Sequence, residues 1–470
     1  MFRQAMVAVA IAACSGASPV EDARAALIRD TLIRGDQLWR VREPQLVAQK
    51  LATMATSRFA FLRGTNRLYW DDLQRGTPVE SSTAYGSADA AGVMLVGDPH
   101  LENLGTFQAP TGEIVVDWND FDSSTWGPYW GDARRLAVAC YVAGLEIGRD
   151  DAGAAALAER AARGYAEEIG ALSAGREAPM ALGAYLDDLT AKAREDGDAD
   201  KLATYTTVKD GVRTMRTGVI DPPIDGVTQD ELVPLADADA AALARAIAAW
   251  PDTVWASTDR ASLALVGGAR GMARRLGAGV SSYPLYRWYA IVRGPTDAPD
   301  DDRLIELKEA SDPVRLTGLP AWPPRTDRSN AERVVRNQRA LHEWPDDDPQ
   351  LGWTQLGELA IQVRSRTGLQ SGVDVAKLAT KVASGKYTQA DVDDLATSAG
   401  RLLARAHARG ALRDDRPALP VIAAALHGDA LGFTAETAAF ARAYGAQTEN
   451  DVGLFRALLA ADGPLLGGAP

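Results

Sequence analysis

Cysteine is nearly absent from this 470-residue chain, which holds only Cys14 and Cys140. Two thiols build neither a disulfide framework nor a thiolate zinc centre. Histidine is scarce too: His100, His342, His407 and His427 do not cluster at ligand spacing. No apolar run approaches the roughly 18 residues of a membrane span. Basic residues are outnumbered 63 to 50, a net charge of −13, so the chain as a whole repels phosphate backbones and is not expected to bind nucleic acid. Neither a G-x-S-x-G elbow nor a G-x-x-x-x-G-K-[ST] loop occurs. What remains is a globular composition, 46% hydrophobic and 24% charged, which excludes a disordered chain. The length suits two or three domain-sized units or one large two-lobed body.

The first residues, MFRQAMVAVAIAA, place one cation, Arg3, before an apolar run. Residues 1–13 read as a secretory signal. Ile11-Ala12-Ala13-Cys14 resembles a bacterial lipobox, which makes Cys14 the lipidated residue of a cell-envelope or periplasmic lipoprotein. A mis-assigned start or a frayed helix is the alternative, and with it a cytoplasmic protein. Cys140 lies in an apolar helix-like run and reads as a buried, inert thiol.

Residues 21–56 carry a helical period, and 93–96 and 113–117 are short apolar runs of strand length stopped by turn signals. Residues 132–194 are rich in helix formers with few breakers. Residues 218–235 hold Pro222, Pro223 and Gly226 and read as a linker, followed by a helix over 236–249. From about residue 263, strand-like runs alternate with glycines. A strand at RLIELKEA, a helix over 329–343, a strand over 358–367 and further helices over 371–410 and 434–461 complete the chain.

The segment richest in chemistry is GDPHLENLG…EIVVDWNDFD…GDARRLA. Asp98 follows a strand-like run and Asn103 lies five residues on. A second strand delivers Asp117, with Asn119, Asp120 and Asp122 beside it. Two carboxylates and an amide on adjacent strand ends can address one volume, and such hard oxygen donors suit Mg²⁺ or Mn²⁺ rather than zinc. One carboxylate can stay metal-free and act as a base. Asp and Asn are also ordinary turn residues, so it is the combination that carries the argument. Further on, LGAGVSS places Gly277 and Gly279 between two strand-like runs, with Ser282 where a G-x-G-x-x-G loop has its third glycine. The next strand carries Lys308, and a helix then offers Glu332 and Gln338 as partners, of which Glu332 is preferred.

These pieces resemble protein kinases and, through GD-x-H-x-x-N followed by V-D-W, aminoglycoside phosphotransferases and related small-molecule kinases. The resemblance implies Asp98 as catalytic base, Asn103 and Asp117 as metal ligands, and Lys308, Gly277, Gly279 and Glu332 as the nucleotide-binding set. It implies supporting roles for His100, Asp120 and Asp132, and Mg²⁺ and ATP as cofactors. In ordinary kinases the glycine loop comes first, whereas here the catalytic-loop pattern precedes it and GRLLARAHARG stands near the end. The fold implied is α+β, a circularly permuted kinase-like fold with a mostly helical large lobe and a small antiparallel-sheet lobe. Residues 14–235 and 371–470 then form the large lobe and 236–370 the small one. The motifs FLRG, GDPHLENLG, DWNDFD, DARRLA, LKEA and LARAHARG also resemble, in order, a bacterial family of uncharacterised proteins, domain-of-unknown-function family 2252.

The expected function is phosphotransfer from Mg·ATP to an unknown small-molecule acceptor, in a pocket drawing on the helices after 132, with Arg63, Arg134 and Arg135 as candidate anion contacts. Two alternatives stand beside it. One is a non-catalytic envelope binding protein with a degenerate kinase-like fold, suggested by Cys14 and Ser282. The other is a metal-dependent phosphoesterase using Asp98, His100, Asp117 and Asp120.

Overall fold

A computed structural model of the chain describes residues 19–177, 179–197, 199–254, 269–294, 296, 298–313 and 329–467. Residues 1–13, read above as a signal, and Cys14 lie outside the described residues.

The N-terminal third is helical: α1 (Pro19–Gly35), α2 (Gln37–Arg42), α3 (Pro44–Thr56), α4 (Arg58–Gly64) and α5 (Asn66–Arg75). Short strands follow. β1 (Val93–Leu95) pairs with β4 (Thr125–Gly127), and between them β2 (Leu104–Gln108) and β3 (Ile114–Trp118) form an antiparallel hairpin. α6 (Tyr129–Glu146) then enters the interior, where it is apolar on nearly every side because α7 (Asp151–Ser173) and the helices Gln389–Arg409 and Ala430–Asp462 cover it. Cys140 is fully buried there, and burial pushes its thiol up to about 12, so it is inert.

A second body is a seven-stranded, wholly antiparallel sheet. Its strands are β7 (Gly218–Asp221), β8 (Asp230–Pro234), β9 (Ala269–Leu276), β10 (Arg287–Val292), β11 (Arg303–Glu309), β12 (Gly352–Leu356) and β13 (Leu359–Ser365), in the order β12-β13-β11-β10-β9-β8-β7. A separate hairpin, β5 (Thr206–Lys209) and β6 (Val212–Met215), precedes it. The stretch expected to be a linker is thus two strands of this sheet: the turn at Pro222–Gly226 joins β7 to β8. The sheet therefore begins before residue 236.

Alternation along β11 decides what each face does. Ile305 and Leu307 join Trp288, Ala290, Ile361 and Val363 in an apolar layer against Leu243, Ile247 and Trp250 of the helical segment 237–253. Glu306 and Lys308 fall on the other face, Lys308 being opposite Arg287 of β10 and Gln362 of β13. The helix Asn330–Leu341, capped by the Ser329 side chain, lies beside that region. After β13 the chain runs directly onto the small hairpin: Thr106 N donates to Ser371 O (2.8 Å) and Val373 N to Leu104 O (3.1 Å). The architecture is α+β, with the sheet joined to the helical body through the elements that carry the motifs.

Candidate functional site between the sheet and the helical body

β1 delivers Gly97 and Asp98. Gly97 has φ +89°, and a Cβ there would lie 2.1 Å from Ser123 O, so glycine is obligatory. Its N–H donates to the Asp132 carboxylate (3.2 Å) at the start of α6, and its carbonyl accepts from Asn66 (3.1 Å) and Trp70 (2.9 Å). Asp132 also meets His407 Nε2 (3.2 Å), whose Nδ1 pairs with the Tyr165 hydroxyl (2.8 Å). This fully buried relay fixes the backbone that presents Asp98. Asn103 Nδ2 then donates to Asp98 O (3.0 Å) and closes the loop.

Asp98 Oδ1 accepts from Arg135 Nε (2.9 Å), while among the described residues Oδ2 has no hydrogen-bond partner. Burial pushes its carboxyl upward, and Arg135 beside it pulls it back only in part. Arg135 is therefore a positioning group for Asp98 rather than a free anion contact. Arg134 is also engaged, with Ser81 O, Ser82 O and Glu436, and Arg63 pairs with Glu102.

Asp120 and Asp122 occupy the turn after β3, where Asp122 N donates to Asp120 Oδ1 (3.0 Å). Arg333 of the helix Asn330–Leu341 anchors this turn through Asp122 O (2.9 Å) and Ser124 O (2.6 Å). Lys308 reaches it from the sheet: Nζ lies 2.5 Å from Asp122 Oδ2 and 3.4 Å from Asp120 Oδ2. Burial raises both carboxyls. At Asp120, Lys308 and the Asp122 amide outweigh burial and hold it below its usual range, whereas the neighbouring Asp120 charge drives Asp122 further up.

Two expected assignments are corrected. Glu332 is not the partner of Lys308. It sits in the first turn of its helix, where its N–H bonds the Ser329 cap (3.1 Å), and its carboxylate pairs with Arg336 one turn on (2.7 Å). Among the described residues Asp117 makes no hydrogen bond or ion pair with Lys308. Its carboxylate accepts from the amides of Glu343 (3.0 Å) and Trp118 (2.9 Å) and lies 3.7 Å from Arg409. Those contacts make it a strut between β3 and the end of the Asn330–Leu341 helix, and it does not line the cavity that Asp98, Asn103, Asp120 and Asp122 share.

A cavity of about 840 Å³ unites the remaining groups: Asp98, His100, Asn103, Asp120 and Asp122 on one side, Gly279 to Ser282 on another. Gly277 (φ +83°) packs so closely on Gln229 that a Cβ would lie 2.5 Å from its carbonyl oxygen, and Gly279 (φ +82°) brings the turn to the cavity wall. The third wall is α1, α2 and the α4–α5 junction, to which the sequence, Arg63 apart, assigned no part in the site, whereas the helices after 132, expected to form the acceptor pocket, do not line the cavity. No periodicity marks a helix as a cavity wall; only the aspartates of D-F-D, two acids bracketing a buried phenylalanine, were readable as a cavity-facing turn.

The oxygen donors Asp120, Asp122 and the Asn103 amide suit a hard divalent cation, and the like-charge crowding at Asp122 is what such a cation relieves. Among the described residues no group of three or more His, Cys, Asp or Glu can hold a metal, so ligand oxygens have to complete any coordination shell. The chain belongs to the family described as "Uncharacterized protein conserved in bacteria (DUF2252)", which matches residues 42–458. No curated protein and no solved structure matches the chain.

Proposed function

We propose that this chain is a kinase-like phosphotransferase that moves the terminal phosphoryl group of a nucleoside triphosphate to the hydroxyl of a small acceptor. One observation carries the reading: Lys308 of the sheet pairs directly with Asp120 and Asp122, and those two aspartates line, with Asp98 and Asn103, a cavity whose other side is a glycine turn. A strand lysine, a catalytic aspartate with asparagine five residues on, and an aspartate after the next hairpin are the parts that phosphoryl transfer by kinases requires. The strand order β9-β10-β11-β13-β12, with a helix between β11 and β12, supports the kinase-like comparison. Permutation is supported by the segment after the helix Gln389–Arg409, where Ala411 O accepts from Met94 N (3.1 Å). The LARAHARG helix thus meets the strand that leads into Asp98, although the two are far apart in sequence.

In this reading Asp98 Oδ2 takes the acceptor's proton. The acceptor oxygen bonds to the terminal phosphorus, the bond to the bridging oxygen breaks, and the nucleoside diphosphate leaves. Arg135 orients Asp98, and burial tunes it toward a working base. Asp120, Asp122 and the Asn103 amide would hold Mg²⁺, which would supply charge neutralisation for the phosphates. Lys308 releases part of its hold on Asp122 to serve the nucleotide, and the Gly277–Ser282 turn offers backbone amides to it.

Two observations favour the non-catalytic alternative, in which nucleotide binds without turnover: Ser282 stands in the glycine turn, and Glu332 is paired with Arg336 instead of Lys308. The phosphoesterase reading loses Asp117, one of its four ligands, to the strut described above. The envelope location and lipidation at Cys14 remain a proposal tested by lipid labelling of wild type and Cys14→Ser. The test of function is melting of the purified full chain with and without Mg·ATP, together with assay of phosphate release. Stabilisation that requires both metal and nucleotide, and that disappears in Asp120→Asn and Lys308→Ala, supports phosphotransfer. Identical, nucleotide-independent melting of all three proteins counts against it.

A further inference from the structure

Phosphoryl transfer as proposed uses the aspartates, Lys308 and the glycine turn, and leaves the third wall of the cavity without a task. That wall is formed by the end of α1, α2 and the α4–α5 junction. Most cations near it are engaged: Lys50 with Asp36 (2.6 Å), Arg40 with Leu465 O (2.7 Å), Arg63 with Glu102. Arg34 and Arg67 are different. Both line the cavity, and among the described residues neither has an acidic partner or a hydrogen-bond acceptor. Both are exposed to solvent, and Arg67 packs against the end of α1, its Nε 3.7 Å from where a Cβ on Gly35, the residue after Arg34, would lie.

A second, independent observation falls on the same cavity. His100 is 3% exposed, its Nδ1 is buried without a partner, and among the described residues Nε2 makes no hydrogen bond either. Asn66 Oδ1 and Arg63 Nε are likewise buried without a partner. Buried polar atoms without partners are rare in folded proteins and call for a bound group or water. Burial, together with the charges of Arg63 and Arg135, holds His100 well below its usual range, so it is a neutral imidazole that can give or take one hydrogen bond. It stands two residues from Asp98.

We propose that this wall is the acceptor subsite, and that the acceptor is a small hydroxylated anion whose phosphate or carboxylate lies against Arg34 and Arg67 while its hydroxyl sits between Asp98 and His100. The inference rests on the phosphotransferase reading. Guanidinium groups pair with planar or tetrahedral oxyanions through charge-assisted hydrogen bonds. A chain of net charge −13 opposes entry of an anion to a cavity that already holds several carboxylates; the two arginines supply the local reversal of sign that admits it.

The test is calorimetric titration of the full chain, saturated with a non-hydrolysable Mg-nucleotide, with glycerol 3-phosphate, glycerate, inorganic phosphate and glycerol. Glycerol 3-phosphate or glycerate is expected to bind at least about tenfold tighter than glycerol, a difference that charge-assisted bonds supply, and the stronger of the two anions identifies the headgroup. Arg34→Gln combined with Arg67→Gln removes that preference while nucleotide affinity stays within about twofold of wild type. His100→Gln removes the advantage of the hydroxylated anions over inorganic phosphate. Equal affinity for glycerol and the anions in wild type, or unchanged anion binding in the double variant, overturns the inference alone. So does a large loss of nucleotide affinity in the double variant, because it assigns the arginines to the nucleotide. If wild type takes no nucleotide at all, the phosphotransferase reading fails and the acceptor subsite falls with it.

Discussion

The two sides of the cavity are held by different means. On the Asp98 side, Gly97, Asp132, His407, Tyr165, Asn66 and Trp70 form a continuous buried set of hydrogen bonds, with Asn103 closing the loop and Arg135 fixing Oδ1. On the sheet side, Lys308 has, among the described residues, no acidic partner within its own sheet or from the adjoining helix and depends on the opposing turn, while the Gly277–Ser282 turn rests on Gln229 and is pinned by a single buried side chain, Val280, against the N-terminal helices. A base that must meet a hydroxyl in one geometry benefits from preorganisation. A phosphate-covering turn and a lysine that exchanges partners need a surface with some freedom to move.

Substitutions can break or sharpen that contrast. The largest effect is expected at Asp98→Asn, which keeps the loop bonds to backbone but removes the base: turnover falls about 10²–10⁴-fold while nucleotide-dependent stabilisation persists, as phosphate-release and melting assays would show. Gly97→Ala forces a Cβ to 2.1 Å from Ser123 O at φ +89° and should cost more than about 3 kcal/mol in chemical denaturation. The matching change across the cavity, Gly279→Ala, meets only the Ser282 hydroxyl at 2.7 Å and should cost about 1 kcal/mol, while weakening Mg-nucleotide binding in titration. Equal destabilisation by the two alanines would erase the contrast.

The joint between the sides has its own pH signature. His342, just past the Asn330–Leu341 helix, bonds Asp347 (2.7 Å) and Trp118 O (2.6 Å). Burial opposes its charge, but Asp347 and Asp117 prevail and raise it from 6.5 to about 9. A raised histidine stabilises the fold fully below the unfolded value, and that contribution is lost as pH climbs through the folded value. Denaturation between pH 6.5 and 9 should show a loss of at most ~3 kcal/mol, flattened in His342→Gln. The cost is shared with Asp347, whose carboxyl burial pushes upward.

Sequence made some of this legible and hid the rest for physical reasons. Asp98, Asn103 and Asp132 were readable because short strand, turn and helix start fix their relation locally. The period-two pattern of RLIELKEA likewise put Lys308 on the face opposite Leu307. Asp117 misled because strand alternation does not say which neighbour lies on each side: the carboxylate met the Glu343 amide, more than two hundred residues away. Glu332 misled because S-x-x-E reads equally as a cap, which it is. The β7–β8 strands were hidden by Pro222, Pro223 and Gly226, which mark the turn between them. The cavity wall formed by α1 and α2 depends on tertiary ties such as Arg24 to Asp72 and Asp451, for which local pattern holds no signal.

The most direct measurement is a calorimetric titration of Mg²⁺ with a non-hydrolysable ATP analogue into the full chain and into Asp120→Asn and Asp117→Asn. A cleft organised around Lys308 and the Asp120–Asp122 turn predicts binding that needs metal and nucleotide together, is lost in Asp120→Asn, and survives in a folded Asp117→Asn. Binding that survives in Asp120→Asn but is lost in a folded Asp117→Asn, or no binding to the wild type, would contradict it.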